Sequence, residues 1–238
     1  MAIKPILFNT EMVRAILDGQ KSCTRRIIKP QWEECPHCKY VHNEYIYDKL
    51  AENVYCARCG YPLVPERRAP YQSGDILYVR ETWQYLYELD GNEQVIEDTG
   101  KYYYAATDTI PFDTYVDENG VKHDHVPWRP SIHMPKEAAR IWLKVTNVRV
   151  ERLQSITVEG AIREGAEGEK CHHTNAGAFG CSDCMNTGWI EPPQVEFMQI
   201  WDSTIKKSDL DRYGWDANPY VFVIEFVKID KPEEIQNA

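Results

Sequence analysis

The alternation of apolar and polar positions divides the chain into several short strands, a few helices and long polar intervals. Ile3 to Phe8 reads as a strand. Asn9 or Thr10 can cap the helix that follows, Glu11 suits its first turn, and Met12, Val13, Ile16 and Leu17 form its apolar face. Gly19 stops that helix, because glycine takes the left-handed conformation cheaply. After a turn over Tyr71 to Asp75 comes a strand from Ile76 to Trp83. It carries Ile76, Tyr78 and Arg80 on one face and Leu77, Val79 and Glu81 on the other. Lys101 to Ala106 and Ile141 to Val150 are further strands. Ser155 or Thr157 caps a short helix running through Glu164, which Gly165 ends. Pro192 and Pro193 open another helix at its favoured end, with Phe197, Met198, Trp201 and Ile205 on one face. The last strand, Tyr220 to Ile229, is apolar on both faces, as a central strand closing a small barrel would be. The pattern predicts an α+β fold: one compact, barrel-like β core with a few short helices. Residues 1–238 would form a single domain, interrupted by insertions at 31–70, 86–127 and 168–190.

Composition narrows what such a domain can do. An apolar content of 43% is enough for a real core. The 27 basic and 37 acidic residues leave a net charge of -10. That argues against a protein that coats duplex DNA, which needs a broad basic face. A local basic pocket is compatible with it, and Lys21, Arg25, Arg26 and Lys29 form such a cluster, with Arg67, Arg68 and Arg80 as further members. No apolar run approaches the roughly 18 residues of a membrane-spanning helix. The first eight residues are too short and too polar for a signal peptide, so a cytoplasmic location is expected. Eight cysteines in that setting point to metal or catalysis before disulfides.

The cysteine spacing is specific. Cys35 and Cys38 are followed, after seventeen residues, by Cys56 and Cys59, a C-x2-C-x17-C-x2-C pattern. Two short knuckles of this kind complete a tetrahedron of thiolates around zinc. Four thiolates leave no open position, so the ion would be structural. A segment this short would depend on the metal to fold. A second insert offers Cys171, His172 or His173, Cys181 and Cys184, three sulfurs and one imidazole. His173 is preferred as the nitrogen ligand, because adjacent Cys171 and His172 make a cramped chelate. Two structural zinc ions are therefore expected.

Candidate chemistry gathers in two other stretches. Gly19 to Arg26 places Lys21, Thr24, Arg25 and Arg26 on a turn fixed at one end by a packed helix. Trp128 to Pro135 is a loop stiffened by two prolines that offers Trp128, Arg129, Ser131 and His133 just before a core strand. Glu164 stands at a helix C-terminus, where a carboxylate meets the negative dipole end and is disfavoured unless a cation lies nearby. Tyr102, Tyr103 and Tyr104 could stack bases, although such residues more often fill sheet faces.

Taken together, Gly19-Gln20-Lys21-Ser22-Cys23-Thr24-Arg25-Arg26 resembles the G-x-K-x-x-T-x-R signature of ASCH domains. Gly74-Asp75-Ile76-Leu77-Tyr78-Val79-Arg80-Glu81 is similar to that family's G-D-x-L-x-V-R-E strand. Ile156 to Gly165 resembles its short helix, and Tyr220 to Phe226 its closing strand. Trp128 to Pro135 and Gly214 to Pro219 resemble the longer form frequent in phages and prophages, with the cysteine segments as insertions. The resemblance implies a PUA-like β-barrel, a fold that recurs in RNA binding, with a cleft lined by the signature. One small bacterial branch hydrolyses the amide of N4-acetylcytidine with a lysine, a threonine and a glutamate; Lys21, Thr24 and Glu164 match these by position.

Three functions follow as expectations. The first is recognition of a nucleobase, nucleoside or single-stranded or modified RNA in a basic cleft. There Lys21, Arg25, Arg26 and Arg80 would meet a phosphate or base edge, Trp83, Trp128 or a tyrosine would stack, and Ser131 and His133 are further ligand-binding candidates. The second is amide hydrolysis, with Thr24 attacking the acyl carbon, Lys21 taking its proton and Glu164 passing a proton to the leaving amine. The third is a zinc-dependent protein-interaction module with the barrel as scaffold.

Overall fold

A computed structural model describes the chain except residues 1, 30, 32–33, 36, 41–44, 49–52, 63–68, 89, 91, 93–94, 97, 112–113, 117–120, 173–183, 185–186 and 233–238. In chain order the main elements are β1 (Ile3–Leu7), α1 (Thr10–Leu17), β2 (Cys23–Ile27), β3 (Tyr45–Asp48), β4 (Asn53–Cys56), β5 (Ile76–Arg80), β6 (Trp83–Leu86) and β7 (Lys101–Tyr104). They continue with β8 (Tyr115–Val116), β9 (Lys122–His123), β10 (Trp142–Arg152), α2 (Val158–Arg163), β11 (Glu169–Lys170), β12 (Trp189–Glu191), α3 (Pro193–Thr204), α4 (Leu210–Tyr213) and β13 (Tyr220–Ile229). The α+β class expected from the sequence is what the chain adopts. Its main sheet has five strands in the order β1-β5-β10-β13-β2, and the other four sheets are two-stranded. Among the described residues the five-stranded order does not close into a barrel.

The chain divides into two compact units that interleave along the sequence. The first comprises Met1–Asp18, Ile76–Lys144 and Lys228–Ala238. Here β1 pairs with β5 in parallel, and the start of β10 pairs with β5 antiparallel, Trp142 opposite Tyr78. Asn9 is the helix cap: its side chain accepts from the Met12 N–H at 2.8 Å. The α1 helix is tied down by Arg14, whose Nε donates to the Ala106 carbonyl at 2.9 Å. A core of Ile76, Tyr78, Trp83, Met134, Ala138, Ala139 and Trp142 fills one side of β5, and each large apolar side chain there contributes about 1.5–3 kcal/mol. Tyr102 and Tyr104 of β7 belong to this packing. Tyr102 lies 5.8 Å from the Trp83 ring, and the Tyr104 hydroxyl donates to the Ala138 carbonyl. They fill a sheet face, as the commoner expectation had it.

The second unit comprises Gly19–Asp75 and Val145–Val227. Its β13 and β2 pair antiparallel, with Arg25 opposite Val223, Thr24 opposite Ile224 and Cys23 opposite Glu225. Thr157 caps α2, its side chain accepting from the Gly160 N–H, and Gly165 follows at φ +92°. Pro193 opens α3, which buries Phe197 and Trp201 against Leu153, Ala161, Val221 and Val223. The Trp201 indole is satisfied by donating to the Tyr213 carbonyl at 2.8 Å. No helix among the described residues is long and apolar enough to cross a membrane.

Candidate functional site

The turn after α1 is held from two sides. Gly19 takes φ +77°, which lets the chain leave the helix sharply. Beyond it, the Ser22 N–H donates to the Arg163 carbonyl at the end of α2, and the Ser22 carbonyl accepts from the Phe226 N–H of β13. Lys21 is thereby fixed against the C-terminus of α2, where its side chain is fully buried. Its ammonium donates to the Glu164 carboxylate at 2.6 Å and to the Glu164 carbonyl at 2.7 Å. Arg25, two residues into β2, reaches the other oxygen of the same carboxylate at 3.1 Å. Glu164 therefore has two cations beside it, which is what a carboxylate at a helix C-terminus requires.

The cluster extends well past those three residues. Arg25 also pairs with Glu151 of β10; Glu151 pairs with Arg149; Arg149 pairs with Glu225 of β13; and Glu225 pairs with Arg163 of α2. Four basic and three acidic side chains form one chain of ion pairs. It runs from a dry end at Lys21 to a solvated end at Arg163, whose side chain is 44% exposed. Burial alone would raise the Glu225 carboxyl, but Arg149, Asn147 and Arg163 outweigh it and hold the group below the ordinary carboxylate range. Cys23, on the same side of β2, has its thiol pushed up to about 11 by burial first and the Glu164 charge second. Its sulfur rests 3.9 Å from the Gly160 carbonyl. Such a thiol is a packing group and not a nucleophile.

Sequence reasoning did not find Glu151, Arg149, Glu225 or Arg163. The signal was available. Asn147, Arg149 and Glu151 recur every second position along β10, and Glu225 is the lone charge in the first eight residues of an otherwise apolar strand.

The structure brings Lys21, Arg25 and Glu164 together, but not every residue the signature suggested. Strand alternation turns Thr24 and Arg26 to the opposite face of β2 from Cys23 and Arg25. Thr24 is buried there, and Arg26 is half-buried near Tyr71. Arg80, Trp83, Trp128, Ser131 and His133 belong to the first unit. Arg80 donates to the Ile132 carbonyl at 3.2 Å, and Trp83 exchanges backbone hydrogen bonds with Arg129. Trp128 and His133 are exposed and Ser131 half-buried, on the loop and short 3-10 turn that follow. Glu81 faces away from Arg80, as alternation predicts, and its buried carboxylate takes two hydrogen bonds from Arg140 at 2.9 Å.

The first cysteine set converges. The sulfurs of Cys35, Cys38, Cys56 and Cys59 all lie within 4.8 Å of one another. Cys35 and Cys59 are 3.8 Å apart, and Cys38 and Cys56 3.7 Å apart. Zn–S bonds of about 2.3 Å in a tetrahedron require S–S separations of about 3.8 Å, so the four thiols fit one metal ion. The local turns support this: Lys39 N–H donates to the Cys35 carbonyl and Gly60 N–H to the Cys56 carbonyl, the same tight knuckle twice. In the second insert, Cys171 and buried Cys184 are described, whereas His173 and Cys181 lie outside the described residues. Compared with models of protein families, with curated proteins and with solved structures, the chain matches none.

Proposed function

We propose that the protein is an ASCH-type domain with a PUA-like core that recognises a nucleobase or nucleoside, free or within single-stranded or modified RNA. The observation that carries this reading is the buried convergence of Lys21, Arg25 and Glu164. A base edge presents donors and acceptors side by side; Lys21 and Arg25 as donors and Glu164 as acceptor are the partners it would meet, each now engaged within the cluster and almost wholly buried. Arg149 and Arg163, at the solvated end of the ion-pair chain, supply the positive charge that a nucleotide backbone would meet. With a net charge of -10, selectivity falls on single nucleosides or short single strands over duplex.

Amide hydrolysis of an N4-acylated cytidine is the second reading. The Lys21–Glu164 contact favours it, and the position of Thr24 on the other face of β2 weighs against it, since the nucleophile must share a site with its base. The four-cysteine cluster is proposed to hold structural zinc, and the second insert a second zinc. The protein is expected to work in the cytoplasm, the host's if it is phage-encoded.

Calorimetry of the zinc-loaded protein with cytidine, N4-acetylcytidine and a short single-stranded RNA, paired with mass spectrometry of the mixtures, separates the readings. Saturable binding without product, weakened in Arg163→Ala, is the expected result. Release of cytidine that is lost in Lys21→Ala and Thr24→Ala would establish hydrolysis. Absence of both binding and product would overturn the nucleoside reading.

A further inference from the structure

The first unit holds a pair of donors that the ion-pair cluster does not explain. Arg80 ends β5 and Trp83 begins β6, and each is hydrogen-bonded to the same short loop, at Ile132 and Arg129. Arg129 of that loop bridges its backbone to Trp83 and sets its guanidinium 5.5 Å from the centre of the indole ring. Three residues on, the Ile132 carbonyl accepts from the Arg80 Nη1. The Arg80 Nε and the Trp83 Nε1 are both buried and neither has a hydrogen-bond partner. Trp83 is only 5% exposed, so its N–H is shut off from bulk water.

Orphaned buried donors are rare because their desolvation is not repaid. Two of them tied to one loop ask for the same thing. Both groups donate and neither can accept, so their partner must bring acceptors only. The local charge narrows the class further. Arg80 and Arg129 form no ion pair among the described residues, and the neighbouring carboxylate, Glu81, is engaged by Arg140 on the other face of the strand. Arg80 also lies 5.8 Å from the centre of the Tyr78 ring, and aromatic walls strengthen a charge-assisted bond by excluding water. Ile132 of the loop is itself 59% exposed.

We infer that Arg80 and Trp83 form a binding site for an oxyanion, phosphate or carboxylate, beside the Arg129–Ile132 loop. An oxyanion supplies two or more acceptor oxygens and a negative charge, which is what both donors lack. Arg80 and Trp83 are expected from the sequence in the nucleoside cleft, but the proposed nucleoside site rests on Lys21, Arg25 and Glu164, and the anion site is tested separately from it. Inorganic phosphate carries no base, and the Lys21 cluster belongs to the other unit.

The test is a ¹H–¹⁵N correlation spectrum of the full, zinc-loaded chain, with the Trp83 indole resonance assigned by its loss in Trp83→Phe. Inorganic phosphate and acetate are titrated in separate arms at constant ionic strength. A saturable downfield shift of the Trp83 indole proton is expected, with half-saturation at millimolar concentration or below. The stronger arm identifies the anion. Arg80→Lys keeps the charge but loses the planar Nε donor, and should weaken the effect about tenfold or more while the unliganded spectrum stays dispersed. A Trp83 resonance unmoved by both anions overturns the site. So does an equal shift with chloride alone, or an undiminished response in a folded Arg80→Lys protein.

Discussion

Lys21 illustrates how far burial changes what a lysine is for. Its ammonium is fixed by a carboxylate and a carbonyl with no side-chain exposure, so it holds the end of α2 in place before it does anything else. Removing one member of such a pair strands the other charge. Lys21→Met and Glu164→Gln should each destabilise the protein by about 3–5 kcal/mol in urea unfolding. The double variant should cost less than the sum of the two by about 1 kcal/mol or more. Additive losses would mean that the pair does not act as a unit. Cys23 gives a second check on the same pocket. With its thiol raised to about 11, it should resist iodoacetamide at mildly alkaline pH in the folded protein and react only after unfolding, as followed by peptide mass spectrometry.

Among the secondary-structure elements, the helices were the easiest to foresee. Asn9, Thr157 and Pro193 are start signals, Gly19 and Gly165 are stop signals, and each acts through local backbone chemistry that sequence states directly. The four-cysteine insert was legible for the same reason, since two identical knuckles leave little freedom in where the sulfurs go. Strand partners were not legible. Nothing local says that β2 lies beside β13, and that pairing decides which face Thr24 takes and hence whether the signature's lysine and threonine converge. The ion-pair chain escaped notice because its members come from β2, β10, α2 and β13, with sequence separations set only by the tertiary fold. The knuckles carry their own prediction. Elemental analysis should find about one zinc per chain held by Cys35, Cys38, Cys56 and Cys59, and about two if the second insert is also a site. Cys56→Ser should remove one of them. Purified protein with no zinc at all would sink both assignments.

The chain taken as one folding system should show its ion pairs in its response to acid. Glu225 titrates lower in the folded state than in the unfolded one, so the folded protein binds fewer protons as pH falls through the carboxylate range. Its contribution is present above the unfolded value, near 4.5, and is lost as pH drops through the lower folded value. Glu225→Gln should therefore flatten the acid limb of the stability profile measured by thermal melts between neutral pH and pH about 3. An unchanged limb would place the acid sensitivity elsewhere. The alternation along β10 has one more consequence. A slip of one residue would carry Asn147, Arg149 and Glu151 to the opposite face, leave the Glu225 carboxylate with Arg163 as its remaining counterion and deny Arg25 its second partner. The charges thus proofread the alignment of the sheet: a misthreaded chain is rejected by electrostatics even where its apolar residues would still find something to bury.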